Sequence, residues 1–160
     1  MLYRRILALT AAALLLLTAC QSPAPQRQID LDAVYQAIMD SQPKDAEPPV
    51  LFPERDPALI EAMYPGLSQL AVPKMAFYVA PVTGFACEIM LVEAADTQMA
   101  QDVADIFRAR VSAGSADTNY PETAALWQQN ARVQSEGPYV AMVVLPDGCT
   151  IPDDIFALVP

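Results

Sequence analysis

The amino-acid sequence predicts an α+β domain: a four-stranded, mainly antiparallel sheet packed against amphipathic helices, built as two hairpin-plus-helix halves. Three observations point there. Residues 87–93 and 139–145 are apolar on both of their alternating faces, as in strands covered from both sides. Each has a second strand-like segment beside it across a turn: residues 74–80 ahead of Pro81-Val82-Thr83-Gly84, and residues 132–135 ahead of Gly137-Pro138. Between the pairs, Met99, Val103, Ile106, Phe107 and Val111 recur at helical spacing.

The elements follow in order. Leu31, Val34, Tyr35 and Ile38 form one apolar face of a helix over residues 29–40, with Asp30 as its N-cap. Residues 42–57 hold Pro43, Pro48, Pro49, Pro53 and Pro57, a stiff connection in which Val50-Leu51-Phe52 is expected to pack as an extended piece. Asp56-Pro57 starts a helix carrying Leu59, Ile60, Met63 and Tyr64, and Pro65-Gly66 ends it. After the first strand pair, Asp96 caps the helix of residues 97–111, with Asp102, Asp105, Arg108 and Arg110 placed mostly on its solvent side. Tyr120-Pro121 opens a helix to about Asn130 with Leu126 and Trp127. After the second pair, Pro146-Asp147-Gly148 turns the chain, and a short helix is expected near Pro152 with Ile155, Phe156 and Leu158.

Ahead of these elements lies a different kind of segment. Met1 to Arg5 is short and basic, and Ile6 to Leu17 is an apolar run. That run is shorter than the ~20 residues that span a bilayer as a helix. It fits the apolar region of a signal peptide. Leu17-Thr18-Ala19-Cys20 sets small residues directly before a cysteine and resembles the lipobox of bacterial lipoproteins. The resemblance implies diacylation of Cys20 and cleavage before it, and two acyl chains suffice for stable anchoring. Residues 1–19 are thus expected to be a lipoprotein signal peptide. Residues 20–28 are the lipidated cysteine and a tether, reaching no more than roughly 25–30 Å at ~3.3 Å per residue. Residues 29–160 form one domain, with a helical, proline-rich part over 29–72 and the sheet core over 73–160. The expected location is the outer face of the bacterial cytoplasmic membrane.

Composition narrows the function. The chain of 160 residues has a net charge of −10, which becomes about −12 once Arg4 and Arg5 leave with the signal peptide. No basic patch is interleaved with aromatics, so nucleic acid is an unsuitable partner. There is no histidine, which excludes Ser-His-Asp and Cys-His catalysis and removes the commonest zinc ligand. No phosphate loop or dinucleotide fingerprint occurs. No cofactor and no metal site is expected. Glu88 and Glu93, five apart on one strand, point to opposite faces and do not form a hydrolytic pair. Asp30, Asp32, Asp153 and Asp154 read as helix N-terminal acids. Met63, Met75, Met90, Met99 and Met142 lie within apolar patterns and read as core filling. With Cys20 lipidated, Cys87 and Cys149 remain as an even pair in an oxidising setting. Two readings stay open for them: a disulfide closing a long loop, or two buried thiols.

One resemblance spans about half of the chain. Gly84-Phe85-Ala86-Cys87-Glu88-Ile89 enters a strand, Glu93-Ala94-Ala95-Asp96 leads into an amphipathic helix ending with Arg108 and Arg110, Tyr120-Pro121 starts a helix, and Gly137-Pro138-Tyr139-Val140 opens the last apolar strand. In this order, from about Tyr78 to Leu158, the sequence resembles a family of small bacterial lipoproteins, the domain of unknown function 4358 type. The resemblance implies the same lipoprotein signal and no assigned activity. It also implies an acid at Glu88, which reads either as a functional carboxylate or as a strand-start acid paired with an arginine or a turn. The cysteine pair is not part of the pattern. The resulting expectation is a non-enzymatic, membrane-anchored binding or accessory module, meeting another envelope protein or a small extracellular ligand. The alternatives are a carboxylate-based hydrolase of cell-wall or carbohydrate substrates and a structural envelope lipoprotein.

Overall fold

The computed structural model describes residues 27–81 and 86–160. The signal segment, Cys20, most of the tether and Val82-Thr83-Gly84-Phe85 lie outside the described residues. Along the chain come α1 (Leu31–Asp40), β1 (Phe52–Pro53), α2 (Pro57–Met63), a 3-10 turn (Leu67–Gln69), β2 (Lys74–Val79) and β3 (Glu88–Glu93). Then come α3 (Thr97–Ser115), α4 (Pro121–Asn130), β4 (Arg132–Glu136), β5 (Tyr139–Val144) and a 3-10 turn (Phe156–Leu158).

The sheet has five strands in the order β1-β2-β3-β5-β4, and every pairing is antiparallel. The expected four strands are all present, and β1 is the addition. It pairs over only two positions, Phe52 with Val79 and Pro53 with Tyr78. The two hairpins meet through β3 and β5, with Met90 opposite Met142 at the centre of the sheet. The β4–β5 loop is just Gly137-Pro138, and Gly137 has φ +55°, a conformation that glycine reaches without a side-chain penalty.

Side-chain alternation divides the core in two. Met90, Val92, Val140 and Met142 face α2, α3 and α4, and pack with Tyr64, Phe107 and Trp127. Ile89, Leu91, Ala141 and Val143 face α1 and the C-terminal segment, and pack with Val34, Ile38, Ile155 and Phe156. Both faces are covered, which explains the absence of polar alternation in β3 and β5. Each fully buried large apolar side chain contributes about 1.5–3 kcal/mol.

The caps are where the sequence puts them. The Asp30 carboxylate accepts from the N–H groups of Asp32 and Ala33, Asp56 from Ala58, and Asp96 from Met99. Two expectations need correction. The helix read to end at Val111 runs on to Ser115, and Gly114 in its last turn packs directly against Trp127. The short helix near Pro152 does not form, and a 3-10 turn at Phe156–Leu158 stands there instead. Side chains take over the backbone bonding: Gln134 donates to the Pro152 carbonyl and accepts from Ile155 N–H, and the Asp154 carboxylate accepts from Ala157 N–H. Arg27 then clasps the end of the chain, donating to the carbonyls of Phe156 and Val159.

Candidate functional site

Glu88, the carboxylate singled out in the sequence, starts β3 and is buried at 3% exposure. It projects to the same face as Met90 and Val92, under α3. Arg110 of α3 grips it with both arms, Nε to Oε1 and Nη2 to Oε2, each at 2.9 Å. The Tyr64 hydroxyl, just past α2, donates to Oε1 at 2.8 Å. On its far side the Arg110 guanidinium lies 4.8 Å from the centroid of the Trp127 ring. Trp127 comes this close to α3 because residue 114 has no side chain: a Cβ there would stand 2.5 Å from Trp127 Cδ2. Tyr64 is held in turn by edge-on contacts with Phe77 and Phe107, both at 5.5 Å between centroids.

Arg110 was expected on the solvent side of its helix, and the structure corrects this. Its long side chain reaches back under the helix to the one buried acid, leaving only about a quarter of its side chain exposed (24%). Burial works against its charge, but the hydrogen bonds and charge of Glu88 outweigh that and hold its pKa above the ordinary arginine value. Burial, reinforced by the adjacent Glu88 charge, raises Tyr64 well above the ordinary tyrosine value, so it stays a neutral donor. Both Glu88 oxygens are engaged, and their bonds join Tyr64, just past α2, and Arg110 of α3 to the start of β3. Tyr64→Phe keeps the ring packing and removes only the donated bond. The expected loss is about 1.5–2 kcal/mol in urea denaturation at unchanged m-value, since the bond goes to a charged acceptor. No loss would mean the hydroxyl bond adds nothing to Glu88.

Glu93, at the other end of β3, projects to the opposite side of the sheet from Glu88, as strand alternation requires, and pairs with Lys74 at 2.7 Å. Asp30 is occupied as a helix cap, and Asp32 accepts from the Tyr78 hydroxyl at 2.6 Å. Tyr78 stacks flat on Tyr35 with centroids 3.6 Å apart, which ties α1 to β2. Among the described residues no group of three or more acids and cysteines is gathered for a metal ion.

The open space lies elsewhere, around Met75 on β2. Met75 is 43% exposed, the exception among methionines read as core filling. Three cavities share it. One of about 460 Å³ is lined by residues 28–32 with Lys74 and Ala76, and one of about 300 Å³ includes Asp32, Glu54, Arg55 and Tyr78. The third, of about 260 Å³, is lined by Ile60, Leu67, Leu70 and Val72. None of the three includes Glu88. This groove carried no sequence motif. Its only signal was the poverty of β1, two residues with a proline, which leaves part of β2 without a neighbour.

Cys87 is buried just ahead of β3, and Cys149 is half-buried in the turn after β5. Both pack in the α1-side core, and both are free thiols here. Burial first, and then the neighbouring Cys149 and Glu88, push the Cys87 thiol up to about 11. The folded state therefore holds this proton more tightly than the unfolded chain. The stability this supplies is complete below about pH 9 and is lost as pH rises from about 9 to about 11. In the reduced native protein, iodoacetamide at mild alkaline pH is expected to modify Cys149 well before Cys87, read by peptide mass spectrometry. Equal rates would show that the β3 end opens freely.

Together these features define a small α+β domain with an antiparallel sheet covered on both faces, a buried tyrosine–glutamate–arginine network, and an exposed groove at one sheet edge. The chain belongs to the family described as Domain of unknown function (DUF4358), whose model matches residues 56–145. The match runs from the cap of α2 to the residue after β5. It contains Tyr64, Glu88, Arg110 and Trp127, and leaves out α1, β1 and Cys149. It begins and ends earlier than the resemblance read from the sequence. No curated protein and no solved structure matches the chain.

Proposed function

We propose that this chain is a membrane-anchored, extracytoplasmic binding module without catalytic activity, held at the cell envelope by lipid on Cys20, and that its working surface is the groove around Met75. The observation that carries this reading is the separation of chemistry from space. The one buried carboxylate is spent on Arg110 and Tyr64, while the cavities gather along an exposed strand edge. The acids at that edge cap a helix or accept from a tyrosine, which suits recognition better than bond cleavage. The anchor rests on the basic start, the apolar run and the Thr18-Ala19-Cys20 junction. Among the described residues no helix is long and apolar enough to cross a membrane.

The test is in-cell crosslinking of the full chain, followed by affinity purification and mass spectrometry, with Cys20→Ser as the unanchored control. A particular envelope protein recovered with the lipidated form and lost with Cys20→Ser supports the reading. Turnover of cell-wall fragments by the purified chain, abolished by a groove substitution such as Asp32→Asn, would replace it with a hydrolase.

A further inference from the structure

We infer that the open edge of β2 is a docking site for an extended segment of another protein in which basic and apolar residues alternate, added to the sheet as a short extra strand. The inference rests on the binding-module reading and names its partner class. The backbone comes first. The Phe77 carbonyl accepts from Glu54 N–H at 2.8 Å, whereas Ala80 N–H donates to the Cys87 carbonyl at 3.1 Å. In an antiparallel strand the N–H and C=O of one residue point to the same side, and successive residues alternate. Odd-numbered residues of β2 thus turn their main-chain groups away from β3. Met75 does so beyond the end of β1, where no described strand continues the sheet. Towards β1 this edge is already taken by Glu54 at Phe77, and Pro73, just before β2, lacks the N–H that would extend it the other way. What remains is a short window centred on Met75, enough for about one pair of ladder bonds.

The side chains give the specificity. A strand laid along this edge sends successive side chains to opposite faces of the sheet. On the α1 face lies the cavity of about 460 Å³ with Asp30 and Asp32, which shares Asp32, Met75 and Ala76 with the one of about 300 Å³ that adds Glu54 and Arg55. Lys74 at the rim is already paired with Glu93, so the lining keeps a surplus of negative charge. On the α2 face lies the cavity of about 260 Å³, lined mainly by apolar residues, Ile60, Leu67, Leu70 and Val72 among them, beside Arg55 and Glu61. One face therefore suits a lysine or arginine, and the other suits an aliphatic side chain. The net charge of −10 adds a general attraction for a basic segment. Main-chain bonds supply affinity and the two unlike cavities supply selectivity, as in other strand-addition complexes.

The experiment uses the full chain in neutral detergent and fluorescence anisotropy with three labelled octapeptides: alternating lysine–valine, the same peptide N-methylated on alternate amides, and alternating glutamate–valine. The lysine–valine peptide is expected to bind saturably. N-methylation is expected to weaken it about tenfold, because it removes the ladder bonds and keeps the charge. The glutamate peptide is expected not to bind. Met75→Arg, at an exposed rim position, is expected to abolish binding of the lysine peptide, and Glu54→Gln to weaken it roughly threefold. Tyr120→Arg, on an exposed residue ahead of α4, is expected to change nothing. Equal binding of the N-methylated peptide, or binding that survives Met75→Arg, overturns strand addition at this edge. If no peptide binds while in-cell crosslinking still recovers an envelope partner, the docking proposal falls and the binding-module reading stands.

Discussion

Arg110→Met will lower the unfolding free energy by about 3 kcal/mol, and adding Glu88→Leu to it will restore most of that loss. Glu88 is 3% exposed, and Arg110 provides two of its three hydrogen bonds, each at 2.9 Å. Methionine keeps much of the volume against Trp127 but removes every donor. The carboxylate is then left in the interior with Tyr64 alone, and breaking one side of a buried pair typically costs about 3–5 kcal/mol. The lower end applies because part of Arg110 reaches solvent. Removing both charges ends the desolvation penalty instead of exposing it, and apolar replacements of such pairs are often close to neutral. Urea denaturation of the two variants and the parent decides the matter. A double variant as unstable as Arg110→Met would mean that the pair is irreplaceable for packing, not merely for charge.

Gly114→Ala will destabilise the protein by about 2 kcal/mol although it lies within a helix, in the last turn of α3. Intrinsic propensity argues the other way, since alanine is better than glycine inside a helix by about 1 kcal/mol. Geometry decides the sign. The added Cβ would meet three ring carbons of Trp127 at 2.5–2.6 Å, and that indole is itself 3% exposed and has no room to retreat. Overpacking of this kind costs about 1–3 kcal/mol or more, and the displaced ring would also leave the Arg110 guanidinium. The expected signature is a lower thermal midpoint with a shift in tryptophan fluorescence. In a Trp127→Leu background the same Gly114→Ala change should become neutral or stabilising. If it stays destabilising there, the clash with the indole is not the cause.

The parts of the fold legible in the sequence are those fixed by local chemistry. Asp30, Asp56 and Asp96 announce three helix starts because each cap acts within three residues of itself. The buried strands β3 and β5 are legible because covering from both faces leaves no polar alternation. Non-local features were not. Arg110 looks solvent-facing on a helical wheel, which gives an angle but not what lies beneath the helix, and only the arrival of Glu88 pulls it inward. Leu59 belongs to the apolar stripe of α2 by spacing, yet it is 41% exposed because that helix rests on the sheet over a single turn around Ile60. Met75 reads as core in its own strand and becomes a rim residue because β1 is too short to cover it. Gly114 carries no motif in the sequence, and its role emerges only from Trp127, thirteen residues on, which needs the space.

The clasp of Arg27 on the carbonyls of Phe156 and Val159 makes the described chain nearly a closed ring. The α1-side cover is assembled from residues 27–40 and 146–160, which pack together against the sheet in one cluster. A few-residue linker could bridge the gap, with new ends opened at the exposed Asp147-Gly148 turn, and all five strands would keep their neighbours. The same ring spreads mechanical load. Tension arriving through the backbone ahead of Arg27 is shared at once with the last residues of the domain, and so reaches the sheet from two sides instead of peeling α1 away alone.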